Sequence, residues 1–305
     1  MRISTLIPLL SGVSVAVGQY YEARKLTEIQ PSNTRFTDLA FRGETGYILL
    51  TAVGGTVHQF DSFHQHGGPQ TLATVVQQEL AGIVELDTDR YGVTAWSQNG
   101  DAPTMSLYEL DLTEPATAMW PIGSPNRTPV NIKLGGLAAI NSHISFQVDT
   151  GAALRGINWA DGTLFKDPYF DQIQPGTIGI AYRAPNLYVT DAQAGTLKRV
   201  KVNEVTGAVF PSTFETLVTS SFLKGCAGIA LSHWNEDIFV TNPTLGAILR
   251  VNLQTKTVRF VSVNSIVKPV AAEFAPWGGL YVAAQGDNSV GSSVWSVKVP
   301  DEPAR

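Results

Sequence analysis

Apolar residues in this chain fall in short runs of about four to six, separated by turn residues, and the runs come in threes. The pattern is plainest from Gly179 to Val202. Gly179-Ile180-Ala181-Tyr182 passes through a turn at Ala184-Pro185-Asn186 into Leu187-Tyr188-Val189-Thr190-Asp191. A second turn at Ala194-Gly195 leads into Thr196-Leu197-Lys198-Arg199-Val200. The same phrase returns as Gly228-Ile229-Ala230-Leu231, Ile238-Phe239-Val240-Thr241-Asn242 and Gly246-Ala247-Ile248-Leu249-Arg250-Val251. Runs this short, rich in β-branched and aromatic residues and bounded by Gly, Pro, Asn and Asp, predict strands. No long segment places apolar residues three and four apart, so helices are expected to be few.

Used as a ruler, the phrase marks six units. The residues that open them are Asp38, Gly82, Gly136, Gly179, Gly228 and Ala271, at intervals of 43 to 54 residues. That period suits the four-stranded blade of a propeller. Thr71–Val76, Phe214–Val218 and Val258–Val261 supply fourth strands, whereas the last unit runs out soon after Val299. Lys25–Ile29 has no unit of its own. The predicted fold is therefore an all-β, six-bladed β-propeller, one domain over 19–305, whose N-terminal strand completes the last blade and leaves no open edge. The first strand of each blade lines the axis. Two residues beyond the opening column stand Ala40, Val84, Ala138, Ala181, Ala230 and Glu273. Small residues suit six strands crowding one axis. Glu273 breaks the column, and a carboxylate there needs a partner or a raised pKa; structural pairing is the expectation.

Composition narrows the class. The 305 residues are 44% hydrophobic and 15% charged, with a net charge of -5 and no basic cluster, which argues against a nucleic-acid partner. Met1–Gly18 reads as a secretory signal, with Arg2 at its head, an apolar core over Leu6–Val17 and small residues at Ala16-Val17-Gly18. The run is shorter than the ~20 residues of a membrane span. The expected place is the secretory pathway, secreted or lumenal, with no membrane partner once the signal is removed. Asn126-Arg127-Thr128 is a glycosylation sequon in that setting. Cys226 is the one cysteine, so no internal disulfide forms.

Gly-Ile-Ala, Leu-Tyr-Val-Thr-Asp and Gly-x-Leu-x-Arg-Val, set in six units, resemble the SMP-30/gluconolactonase superfamily over nearly all of the chain beyond the signal. The resemblance implies a divalent metal held by Glu, Asn and Asp just ahead of the opening column. Here that place holds Thr37, Ala81, Gly135, Ile178, Ala227 and Val270. A hard cation needs several oxygen ligands, so no metal and no other cofactor is expected. The overall sequence is also similar to a narrower group, the fungal hetero-Diels–Alderases of tropolone-sesquiterpenoid biosynthesis, which join a tropolone-derived quinone methide to humulenol. This implies a metal-independent pericyclase with a small apolar polycyclic or terpenoid substrate. A metal-dependent lactonase-like hydrolase and a secreted, non-catalytic small-molecule-binding propeller are the alternatives. Oligomeric state is left open.

A cycloaddition needs an apolar cavity that holds both partners in a near-attack pose and a few donors for the diene carbonyl. Loops after the second strands and before the first share one mouth. Lys224, Lys268, Asn242 and Gln285 are the expected donors. Trp96, Gln98, Asp149, Asp191, Thr177, Cys226 and Lys133 are the expected substrate contacts, with Trp96 walling the terpene. Ordinary roles stand beside these. Asp191 and Asn242 begin turns and have local backbone to bind, the tryptophans have blades to pack between, and a lone buried thiol is usually packing. His64-Gln65-His66 follows a third strand and is expected on the far face as a polar loop. There is no His-Glu-x-x-His, phosphate loop or Gly-x-Ser-x-Gly elbow.

Overall fold

The computed structural model describes residues 22–29, 34–43, 45–64, 68–97, 104–113, 118–122, 128–129, 134–149, 153–169, 176–263, 265–287 and 290–299. The proposed signal, the sequon at Asn126, and Gln98, Lys133 and His66 lie outside them.

The described strands form six sheets arranged as a six-bladed β-propeller. Blade one is Phe36–Arg42, Tyr47–Ala52, Thr56–Asp61 and Gln70–Thr74, each antiparallel to the next. Blade four is Thr177–Arg183, Asn186–Asp191, Thr196–Val202 and Val209–Thr219, and blade five is Ile229–Leu231, Ile238–Asn242, Ala247–Asn252 and Thr257–Val263. Blade three follows the same order from Leu134–Ala139 to Thr163–Phe165. Blade two departs from it. Outside Thr104–Asp111, its edge is shared end to end by Ala118–Pro121 and the two-residue Thr128–Pro129. Blade six has three consecutive strands, Pro269–Phe274, Leu280–Ala284 and Ser292–Val297; its fourth is Ala23–Ile29, antiparallel to Ser292–Val297. Among the described residues, no helix is long and apolar enough to cross a membrane.

The six first strands touch one another in a closed circle around the axis, the first strand of blade six meeting that of blade one. Alternation along each strand gives every sheet two apolar faces, and each face meets the next blade. The buried apolar residues accordingly divide into six clusters, one at each blade interface. Phe146, Val148 and Leu154 of blade three meet Ile180, Leu187 and Val189 of blade four; Phe36, Ile48 and Leu50 of blade one meet Tyr281, Ala283 and Val294 of blade six. The core is thus a ring around the axis. Polar ties reinforce it. The Tyr91 hydroxyl of blade two donates to Phe41 O of blade one at 3.0 Å. Arg42 of blade one forks onto Asp89 at 2.7 and 3.1 Å and reaches Leu112 O.

A local device shapes the axial wall. Pairing of the first and second strands slips by one residue at the opening column in five blades, between Phe36 and Asp38, Leu80 and Gly82, Leu134 and Leu137, Thr177 and Ile180, and Pro269 and Ala271. Such bulges leave a backbone group without its ladder partner. In blade four a buried second-strand threonine takes it up, Gly179 N donating to Thr190 Oγ1 at 3.1 Å; blade five, which shows no slip, has the same bond from Gly228 N to Thr241 Oγ1 at 2.8 Å. In blade three, where Val148 stands at that level, the Gln147 amide instead donates to the Gly135 and Gly136 carbonyls. The opening glycines also lie against the next blade. A Cβ on Gly179 falls 2.1 Å from Ala227 O, and one on Gly228 falls 2.9 Å from the Ala271 Cα.

Candidate functional site

The circle of first strands encloses a cavity of about 690 Å3 that runs along the axis, within the roughly 300–1,000 Å3 common for small-molecule sites. Ala40, Val84, Ala138, Ala181 and Ala230 line it at one level and complete that ring with Glu273. Trp96, Glu79 and Gln285 stand at the mouth formed by the starts of the first strands; Glu85, Arg183 and His233 stand toward the opposite mouth.

The expected site residues separate sharply. Trp96 and Gln285 line the cavity. Asn242 does not. It is fully buried; its amide donates to Phe222 O at 2.9 Å and Lys224 O at 2.8 Å, and its Oδ1 accepts from Leu245 N at 3.0 Å. These bonds hold the 3-10 turn Ser221–Leu223 and the loop after Asn242, leaving the amide nothing for a ligand. Asp191, 1% exposed, accepts from Gln193 N and Ala194 N and pairs with Lys198 at 3.6 Å. It too is a turn residue. Lys224 and Lys268 are exposed and outside the cavity wall; Lys268 has a left-handed backbone, φ 52°, and its carbonyl accepts from Gln285 N at 3.1 Å. Cys226 is fully buried in the interface between blades four and five, and burial pushes its thiol up to about 11, so it is an apolar packing group rather than a ligand contact. Thr177 and Asp149 pair in the backbone with Asp191 and Leu134 respectively; their side chains lie outside the described residues. His64 sits against Asp61 at 3.1 Å, in the exposed loop after a third strand. Trp159 packs between blades two and three, its ring N–H donating to Ser145 Oγ at 2.8 Å, while Trp120 lies half-exposed on an outer strand.

The sequence pattern marked Glu273 but not that it shares one side of the channel with other carboxyl groups. Asp38 Oδ1 accepts from Leu39 N at 2.9 Å, and its Oδ2 crosses to blade two to accept from Ile83 N at 3.2 Å. Removal from bulk water pushes its pKa up to about 7, partly offset by those two donors. Glu273, on the neighbouring first strand of blade six, has no hydrogen bond or ion pair among the described residues. The pairing expected for it is not what the structure holds. Its side chain is open to the lumen, yet protein encloses the lumen on every side. The enclosure governs its proton affinity, because water in a narrow channel screens far less than bulk solvent. Burial, then the negative charge of Asp38 and Glu85, pushes Glu273 up to about 8. Glu85 is raised as well, by burial first and Asp89 second. Of the other charged lining groups, Glu79 stands out at the mouth, while Arg183 donates to Ser232 O and Asn235 O, and His233 Nε2 stands 3.3 Å from Phe274 O. Glu273 was visible in the column alignment. Glu85, Arg183 and His233 carried no signal, because they sit where the first strands leave the repeat.

The metal implied by the resemblance does not fit this donor set. Thr37, Ala81, Ala227 and Val270 line the wall with a hydroxyl or with carbon alone, and Gly135 offers a carbonyl already taken by Gln147. Among the described residues, no three His, Cys, Asp or Glu side chains stand close enough to hold an ion.

The architecture is that of a six-bladed β-propeller, a class defined by fold and shared with several solved structures. A glucose dehydrogenase matches over 91% of this chain and 99% of its own at TM-score 0.66 and 15% identity. A luciferin-regenerating enzyme matches over 92% and 96% at TM-score 0.66 and 14% identity. Virginiamycin B lyase from Staphylococcus aureus matches over 92% and 100% at TM-score 0.56 and 10% identity. At these identities the likeness fixes the fold alone. No family model and no curated protein matches the chain.

Proposed function

We propose that the axial channel is the reaction chamber of an enzyme that works without a bound metal. Its reaction is a hetero-Diels–Alder cycloaddition between a tropolone-derived quinone methide and a humulene-type sesquiterpene. One observation carries this reading: a lumen with a ring of small apolar side chains at mid-depth and carboxyl groups along one side, whose burial raises their affinity for protons. Such a chamber suits a reaction that needs two neutral partners held together and one oxygen polarised. Confinement replaces a bimolecular encounter with an oriented one. A donor fixed at the heterodiene oxygen stabilises the charge that grows there as the ring closes. The indole of Trp96 supplies a flat apolar wall at the mouth, and the Gln285 carboxamide lies on the same rim. The propellers named glucose dehydrogenase, luciferin-regenerating enzyme and virginiamycin B lyase are enzymes by name, which supports an enzymatic reading of this chain.

The test generates the quinone methide in the presence of humulenol, with and without purified protein treated with a chelator. The expected result is faster formation of one stereoisomer of the cycloadduct with the chelated protein. A rate and isomer mixture equal to the blank would sink the reading. Activity that vanishes with chelation and returns with a divalent cation would favour the lactonase-like alternative.

A further inference from the structure

Of the charged groups that line the lumen inside its Glu79 rim, one has no hydrogen-bond partner among the described residues. Asp38 spends both carboxyl oxygens on backbone N–H groups of blades one and two. Arg183 is tied to the Ser232 and Asn235 carbonyls toward the opposite mouth, and His233 stands against Phe274 O of blade six. Glu273 has no such bond among the described residues. It replaces the sixth small residue in a ring of five at mid-depth, so its head projects into space that the other strands leave open. We propose that Glu273 is the catalytic hydrogen-bond donor of the chamber, presenting its carboxylic acid O–H to the carbonyl oxygen of a neutral ligand. This rests on the reading of the channel as a reaction chamber.

The division of labour follows from placement. Two carboxyl groups on adjacent strands in a poorly screened lumen do not both ionise cheaply. Asp38 receives two backbone donors, which favour its anion; Glu273 receives none, so the shared proton resides on Glu273. An ionised carboxylate only accepts hydrogen bonds, whereas the acid form donates one. A protonated Glu273 therefore offers what a ketone or quinone methide oxygen needs. The same surroundings select against anions, because Asp38 and Glu85 flank the group. Asp38 from blade one, with Glu85 and the Tyr91 phenol from blade two, bear on it; Glu79, Tyr182, Arg183 and His233 line the same cavity. Donation transfers no proton outright. The O–H bond lengthens toward the carbonyl as charge builds on that oxygen, and recovers when the ring has closed.

Two measurements test this separately from the cycloaddition itself. Infrared difference spectra compare wild type with Glu273→Gln across neutral and alkaline pH, with and without tropone as a neutral carbonyl probe. The expected result is a protonated carboxylic acid band in wild type that is missing in the variant, fades as pH rises past about 8, and shifts when tropone is added. The second compares turnover of Glu273→Gln, which keeps an N–H donor, with Glu273→Leu, which has none. Glu273→Leu should lose about 100-fold in kcat, the usual effect of one such donor, with little change in KM. Glu273→Gln should keep most of its activity and lose the alkaline fall in rate. If wild type shows the band and its tropone shift but forms no cycloadduct, the donor assignment stands and the proposed reaction fails. If no band is lost in Glu273→Gln, or tropone leaves it unmoved, the assignment is overturned whatever the reaction. Wild-type kcat in Glu273→Leu would overturn it equally.

Discussion

At the scale of single residues, proton affinity ties the channel to the stability of the fold. Glu273 ionises near 4.5 in an unfolded chain and near 8 in the native one. Below 4.5 both states hold the proton, and the contribution to stability is complete. Between these values the unfolded chain has released a proton that the folded chain keeps, so the contribution is lost as pH rises toward 8. Glutamine does not titrate. The melting temperature of Glu273→Gln, less that of wild type, should therefore grow from pH 4.5 to pH 8 and stay level on either side. A difference independent of pH, read by thermal denaturation across the range, would mean that Glu273 ionises in the native state as it does in water. The sequence singled out this glutamate because five small residues share its column. It could not show that the carboxylate lacks a partner, since partners come from neighbouring blades whose register is set only on folding. The same gap explains Asn242. Its place at the end of a second strand suited a rim donor equally well, and only the approach of Phe222 O and Lys224 O decides that the amide faces backbone.

Elements were more legible. The second and third strands of blades four and five lie where their apolar runs predict, because each run is short, β-rich and closed by turn residues. Blade two was harder. Its fourth strand is split into Ala118–Pro121 and Thr128–Pro129, and neither piece is long enough to announce itself. The opening glycines were read as merely small. What requires them is closer: the bulge brings the next blade's carbonyl to within 2.1 Å of where a Gly179 side chain would begin. The offending atom is backbone and cannot swing aside. Gly179→Ala should therefore cost about 3 kcal/mol, the upper part of the range for overpacking, measured by denaturant unfolding. Gly43, whose added Cβ meets nothing, has a left-handed φ of 48° and so tests backbone strain instead. A cost at Gly179 below that at Gly43 would show that blades four and five can part slightly at no great expense.

At the scale of the whole molecule, six interface clusters share the work of a single core, and the circle is only as sound as its last joint. Blade six depends on Ala23–Ile29 to pair the backbone of Ser292–Val297 and to cover the Leu26 and Ile29 side of the cluster shared with blade one. A chain beginning at Thr34 leaves that strand with an open edge, which invites pairing with another molecule. The shortened protein is expected to melt at lower temperature and to associate as concentration rises, followed by light scattering alongside thermal denaturation. A monomer of undiminished stability would show that the joint is held by the first-strand circle alone.

That joint also sets an order of events. Among the described strands Ala23–Ile29 is made first, yet its partner Ser292–Val297 is made last. Through most of synthesis the strand has nowhere to go, and the five blades already made end in two unsatisfied faces. Contacts so far apart in sequence are slow to find, so the nascent propeller is an open arc until Ser292–Val297 has been made. Its exposure to aggregation is greatest just before that strand emerges, and a helper that shields the early strand during that interval would act on yield while leaving the folded molecule unchanged.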